Sequence, residues 1–265
     1  MQTMPVESTR RVLPPPSHDW AYFFDLDGTL VELADKPWGV HADEELRNRI
    51  AVLAQATHGA VAVITGRPIA DVDRFFPDIR LPVAGQHGVE RRTFAGDVRR
   101  HLFPVEQLDE ARLLLQTVVL RHPELLLEDK GLSLALHYRQ APRLASYAHR
   151  LMHRLRDGMG EAFCVQAGKR VVELKPAGRN KGMAIREFMD EPPFAGRRPV
   201  FIGDDVTDEH GFEVVNAYGG LSIKVGRRPT LARRQLANVR AVRAWLAQDP
   251  ASISTHRAGA ENLTQ

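Results

Sequence analysis

The chain has 265 residues, 43% hydrophobic and 26% charged, enough apolar material for one large or two modest domains and too globular a mix for wholesale disorder. Its formal charge is +3, and its basic pairs (Arg99-Arg100, Arg197-Arg198, Arg233-Arg234) are scattered, which reads as solvated surface rather than a nucleic-acid footprint. Cys164 is the only cysteine, so neither an intrachain disulfide nor a cysteine-built zinc site can form, and no stretch has the ~20 apolar residues of a bilayer span.

Residues 1–19 hold a triple proline and no apolar periodicity, and predict a flexible arm without the apolar run of a signal peptide; a soluble cytoplasmic protein is expected. "WAYFFDL" (20–26) predicts a buried strand that stops at Asp25. In "DEELRNRIAVLAQA" (43–56), Leu46, Ile50, Leu53 and Ala54 fall at helical spacing. "AVAVIT" (60–65) predicts a second buried strand, "IADVDRFF" a short helix and "LPVAG" a short strand. Helices alternating with continuously apolar strands predict a parallel sheet covered on both faces.

The pattern then changes. A helix over 107–121, strands near 124–128 and 132–138, a helix near 142–157 and strands near 162–167 and 170–174 are predicted, with "KGL" and "GKR" as hairpin turns. Hairpins make antiparallel sheet, which suits a separate inserted unit. After "KPAGRN" the first pattern returns: a helix from Lys181, a strand over "RPVFIG" (198–203), a helix from Thr207, a strand in "GLSIKVG" and a helix over 229–247. The expected fold is α/β, a Rossmann-like parallel-sheet core (20–104 plus 178–250) with an inserted α+β (αββαββ) cap domain (105–177) and a disordered tail over 251–265.

Three apolar strands end in polar residues: Asp25 after "YFF", Thr65 after "AVAVI", and Gly203-Asp204 after "PVFI". Ligands gather at the carboxyl ends of strands in such a sheet, so side-by-side strands would bring Asp25, Asp27, Thr65, Asp204 and Asp205 to one edge. "GDDVTDE" packs Asp204, Asp205, Asp208 and Glu209 into six positions, and carboxylates so crowded call for a cation. Hard oxygen ligands without cysteine favour Mg2+ over zinc. Taken singly, Thr65 also fits a turn, Lys181 a surface, and Asp208 and Glu209 the start of a helix.

"DLDGTL" (25–30), "ITGR" (64–67), "NKG" (180–182) and "GDDVTDE" (203–209), in that order, resemble the motifs of the haloacid dehalogenase-like superfamily. The resemblance implies that Asp25 attacks phosphorus to form an aspartyl-phosphate, and that Asp27 protonates the leaving oxygen and then deprotonates water. It implies Thr65 and Lys181 as further catalytic groups, Asp25, Asp27 and Asp204 as metal ligands, and Asp205 and Asp208 behind them. The physics agrees: a phosphate monoester dianion repels a carboxylate nucleophile, and Mg2+ with the Lys181 ammonium would offset that repulsion. A covalent intermediate splits one slow hydrolysis into two displacements. Asp27 must be protonated in the first and ionised in the second, a demand that suits a raised pKa.

The inserted unit should select the substrate by closing over this site. "EDKGLSLALHYR" (128–139) puts Glu128 and Lys130 on one strand face, and "VVELKP" (171–176) carries Glu173. Carboxylates and ammonium groups suit sugar hydroxyls. These stretches, with "GQHGVE" (85–90), resemble the trehalose-6-phosphate phosphatases, chiefly their bacterial stand-alone form, from about Trp20 to Leu246. The resemblance implies a phosphorylated disaccharide held by Glu128, Lys130 and Glu173, with Gly66, Arg67, His87 and Arg139 as further substrate contacts. His137 stands equally as a motif residue or a packed core histidine. A monomer acting on a small molecule, without nucleic acid or membrane, is expected. The alternatives are a phosphatase for another phosphorylated glycoside, a non-catalytic sugar-phosphate module and, from the pI of 9.2 alone, a nucleic-acid-binding protein.

Overall fold

The computed structural model describes residues 13–33 and 41–248; the predicted tail and the first twelve residues of the predicted arm lie outside the described residues. Strands buried on both faces need apolar side chains at every position, which is why the apolar runs become neighbours in one sheet. In chain order they are β1 (Trp20–Phe24), α1 (Glu44–Ala56), β2 (Val61–Ile64), α2 (Ile69–Phe75), β3 (Val83–Gly85), β4 (Glu90–Arg92) and β5 (Val98–Arg100). A second unit follows: α3 (Val105–Arg121), β6 (Leu126–Asp129), β7 (Leu134–His137), α4 (Ala145–Met159), β8 (Phe163–Gly168) and β9 (Val171–Pro176). The chain returns with α5 (Lys181–Met189), β10 (Arg198–Gly203), α6 (Glu209–Ala217), β11 (Leu221–Val225), β12 (Arg234–Leu236) and α7 (Val239–Leu246).

Two sheets result. The first runs β12-β11-β10-β1-β2-β3-β4-β5, parallel as far as β3; the second is antiparallel in the order β6-β7-β9-β8. Alternation along β1 splits the first core in two. Tyr22 and Phe24 join Leu46 and Ile50 of α1, Val72 of α2 and Trp245 of α7 on one face. Phe23 points the other way, with its ring 5.3 Å from Phe194 and 6.1 Å from Phe188, among Ile185 of α5 and Phe212 of α6. The second sheet packs against α3 and α4 through Leu108, Leu115, Met152 and Phe163. The αββαββ order is as the hairpin signals predict.

Three expectations are corrected. The sheet is not wholly parallel: β4 and β5 extend it antiparallel, and their Arg-rich sequences carry no strand signature. Ion pairing makes the arginines of β4 buriable, as in the two-point contact of Arg92 with Asp73 and its bonds to the Leu81 carbonyl. The helix predicted over 229–247 is confined to α7, because residues 234–236 pair with the edge of β11 and Asn238 caps the helix by accepting from Ala241 N–H (3.0 Å). The predicted arm is packed from Leu13 onward: Leu13 lies against the core, and Trp245 Nε1 donates to the Pro14 carbonyl (2.7 Å).

Helices α5 and α6 cross closely at Gly182, where a Cβ would lie 2.3 Å from the His210 carbonyl oxygen. Alanine normally improves a helix interior relative to glycine. Here Gly182→Ala is expected to destabilise the protein by about 1–3 kcal/mol through overpacking. Urea unfolding checks this, and a midpoint equal to or above wild type contradicts it.

Candidate active site

Phe24 lies level with Val63 and Ile202 on either side, so the residues following β1, β2 and β10 emerge together. The Asp25 N–H donates to the Ile202 carbonyl (2.9 Å), fixing the start of the loop. Gly28 then turns it with φ +79°, and a Cβ at that position would sit 2.4 Å from Asp204 Oδ2. Only glycine permits both the turn and the approach. Gly203 serves Asp208 similarly, since a Cβ there would lie 2.3 Å from the Asp208 carboxyl carbon.

Lys181 enters from the first turn of α5, whose N-terminus is capped by Asn180 accepting from Met183 N–H (2.9 Å). Lys181 is 3% exposed, and its ammonium donates to Asp25 Oδ1 (2.6 Å) and Asp208 Oδ1 (2.7 Å). Burial would lower its pKa, but Asp208 and Asp25 outweigh that and raise it, so Lys181 stays charged. Thr29 Oγ1 donates to the other Asp25 oxygen (3.2 Å). The Thr65 hydroxyl oxygen accepts from Arg67 N–H (3.1 Å), leaving its own proton for a ligand.

Asp25, Asp204 and Asp208 offer oxygens that all lie within 4.8 Å of one another. Burial, opposed by Lys181 and reinforced by Asp208 and Asp204, holds Asp25 well above the ordinary carboxylate range. Burial, with the charges of Asp208 and Asp205, pushes Asp204 up to about 7. A site whose carboxylates resist ionisation together, and which offers only hard oxygens, suits a hydrated divalent cation. Both Asp208 oxygens are engaged, Oδ1 by Lys181 and Oδ2 by Asp205 N–H (2.9 Å). The carboxylate of Asp27 lies in the fork of Arg67, with Nε and one terminal nitrogen each donating at 2.7 Å. The guanidinium is itself buried and needs that counter-charge.

The second unit faces this cluster. Glu173 Oε1 accepts from Ser133 Oγ (2.6 Å) and Oε2 from Lys130 Nζ (3.1 Å), with His87 Nε2 at 3.4 Å. Burial disfavours the Glu173 charge, but Lys130 and His87 overcome it and hold its pKa well below the usual range. Burial pushes His87 down to about 4, against the pull of Glu173, so its imidazole is neutral. Glu128 bonds His137 (2.7 Å), which places His137 at the site rather than in the core. One pocket is lined by both sets: Asp25, Asp27, Thr65, Gly66, Arg67, His87, Lys181, Asp204 and Asp205 from the first unit, and Glu128, Lys130, Arg139 and Glu173 from the second.

Sequence reasoning missed Gln166 and Lys169, which line the same pocket, and Ser133, which orients Glu173. Gln166 could have been found: the "GKR" turn sets a register that pairs residue 166 with Glu173. Ser133 and Lys169 carry no such signal.

The family model for trehalose-phosphatase matches residues 23–241. Over 233 residues the chain is 43% identical to the trehalose-6-phosphate phosphatase of Escherichia coli (strain K12), spanning 88% of this chain and 87% of the relative. It is 42% identical over 210 residues to a probable trehalose-phosphate phosphatase of Sinorhizobium fredii, spanning 78% of each. The solved C-terminal domain of the C. albicans trehalose-6-phosphate phosphatase aligns with a TM-score of 0.78 at 23% identity, over 87% of this chain and 92% of that one, a likeness of fold.

The carboxylate cluster has a pH signature. A carboxyl raised in the folded state keeps its proton where the unfolded chain has lost it, so its burial costs stability as pH rises from the unfolded value to about 7. A bound cation must displace that proton. For a divalent cation that displaces one proton, apparent affinity is therefore expected to be roughly thirty-fold weaker at pH 5.5 than at pH 8. Mg2+-dependent thermal shifts at the two pH values measure this, and equal shifts contradict it.

Proposed function

The chain belongs to the trehalose-phosphatase family, and from that membership and the shape of its site we propose that it hydrolyses trehalose 6-phosphate to trehalose and phosphate, the last step of trehalose biosynthesis. One observation carries the reading: a single pocket joins the Asp25–Lys181 cluster, suited to a phosphoryl group, to the Glu128, Lys130 and Glu173 set, suited to sugar hydroxyls. In this reading residues 20–104 and 178–250 are the hydrolase core and 105–177 the cap. Monomeric action in the cytoplasm, without nucleic acid or membrane, belongs to the same proposal.

Asp25 is the nucleophile. Its carboxylate sits at the floor of the pocket, oriented by Lys181 and Thr29, and attacks phosphorus to form an aspartyl-phosphate. Mg2+, held by Asp25 and Asp204 with Asp208 beside them, would neutralise the phosphoryl charge and so let dianion and carboxylate meet. Lys181 and the Thr65 hydroxyl stabilise the phosphoryl oxygens in flight. Asp27 gives a proton to the leaving sugar oxygen and then takes one from the hydrolytic water. Its carboxylate, on the nucleophile's own loop, lies in the fork of Arg67. Asp208 fixes Lys181, and Asp205 lies beside the metal ligands. In the cap, Glu128, Lys130 and Glu173 take the hydroxyls of the disaccharide, with His87, Arg139, Gly66 and Arg67 along the same wall. Charged groups fixed in advance by one another lose little freedom on binding.

Asp25→Asn is expected to reduce phosphate release from trehalose 6-phosphate by at least about a thousandfold, as loss of a nucleophile does. Chelation of Mg2+ should abolish wild-type activity, and undiminished release in excess chelator would remove the metal from the proposal.

Substrate choice is tested separately. Glu173→Ala should lower kcat/KM for trehalose 6-phosphate by about a hundredfold while a small artificial phosphate ester loses less than about threefold. Equal losses on both, or equal wild-type turnover of glucose 6-phosphate and trehalose 6-phosphate, would sink the disaccharide assignment.

A further inference from the structure

The turn that carries Gln86 and His87 is held in a conformation its own residues disfavour. Gln86 (φ 47°), His87 (φ 58°) and Gly88 (φ 93°) are three successive left-handed residues, and only the glycine adopts that region without steric cost. The same turn receives the cap. Ser133 Oγ lies 3.3 Å from Gln86 Oε1, and Gln166 Nε2 and Glu173 Oε2 reach His87 Nε2 at 3.1 and 3.4 Å. On its inner side the turn is tied by Gln86 N–H to the Arg67 carbonyl and His87 N–H to the Thr65 carbonyl, both at 2.9 Å.

Arg179 ties the outer side. Its Nε donates to the Gly88 carbonyl (2.9 Å), and its two terminal nitrogens bond the Glu187 carboxylate of α5 (2.6 and 2.8 Å). Glu187 is braced in turn by Arg91 (3.1 Å), which forks onto Glu191. The Arg179 carbonyl accepts from Lys175 Nζ (2.9 Å), on the same strand as Glu173. Arg179 therefore joins three parts: the His87 turn, the helix that presents Lys181, and the last strand of the cap. A guanidinium suits the position because one donor must meet a carbonyl while two others hold a carboxylate in the same plane.

We infer that Arg179 is a positioning residue for the sugar end of the site: by gripping the Gly88 carbonyl it holds the Gln86–Gly88 turn where His87 and the docked cap meet substrate. The inference rests on the sugar-phosphate reading of the pocket. It is tested by steady-state kinetics of Arg179→Ala, Arg179→Lys, His87→Ala and the Arg179→Ala/His87→Ala double variant on trehalose 6-phosphate and p-nitrophenyl phosphate.

Arg179→Ala should raise KM for trehalose 6-phosphate about tenfold, with kcat and p-nitrophenyl phosphate turnover within about twofold of wild type. Arg179→Lys should recover part of the KM, and Arg179→Ala should add little to His87→Ala, since one acts through the other. Additive losses, or equal loss on both substrates, would overturn the positioning role and leave the sugar pocket standing. A His87→Ala variant with unchanged KM would instead sink the reading of His87 as a substrate contact, and the inference with it. Should Arg179→Ala fail to fold, Arg179→Gln, which keeps a single NH2 group, takes its place in the same cycle.

Discussion

A buried ammonium clasped between two carboxylates sets the geometry of the core site. Lys181 lies 156 positions from Asp25 and 27 from Asp208, yet it bonds both at normal distances with almost no exposure. Taking away one member of such a set leaves a charge stranded in low dielectric, which costs about 3–5 kcal/mol. The surrounding backbone serves that clasp: β1 and β10 deliver Asp25 and Asp204 at one level, while Gly28 and Gly203 give way to the carboxylates of Asp204 and Asp208. Burial raises the pKa values of Asp25 and Asp204, and the crowding of three carboxylates around one ammonium adds to it.

Charge elsewhere in the pocket is partitioned into separate pairs. Asp27 belongs to Arg67, Glu128 to His137, and Glu173 to Lys130. Each carboxylate thus has its own partner and orientation before any ligand arrives. The nucleophile and the proton-transfer carboxylate, two positions apart in sequence, answer to different cations, so one residue type can serve two chemical roles in one loop.

What could be read from the sequence followed from local pattern. The strands at 20–24, 61–64 and 198–203 were legible because each is a continuous apolar run closed by a polar residue, and that closure located Asp25, Thr65 and Asp204 together. The hairpin turns made the second sheet legible as well. What escaped depends on partners distant in the chain. β4 and β5 are strands rich in arginine, and the burial of Arg91 and Arg92 on β4 makes sense only beside Glu191 and Asp73. Residues 234–236 look helical until the open edge of β11 is present to pair with them. The fork of Arg67 on Asp27 spans 40 positions and has no periodic trace, so the sequence pattern did not show it.

The contacts that seat the second unit on the Gln86–His87 turn are mostly dipolar: a serine against an amide, an amide beside an imidazole kept neutral by burial, and one carboxylate, Glu173, against that same imidazole. Neutral hydrogen bonds trade with water for a net ~0.5–1.5 kcal/mol each, well short of what the paired charges inside either unit resist. The seam between the units is thus the place where the molecule parts with least effort. Departure of a bulky product through it would leave the ion pairs inside each unit whole.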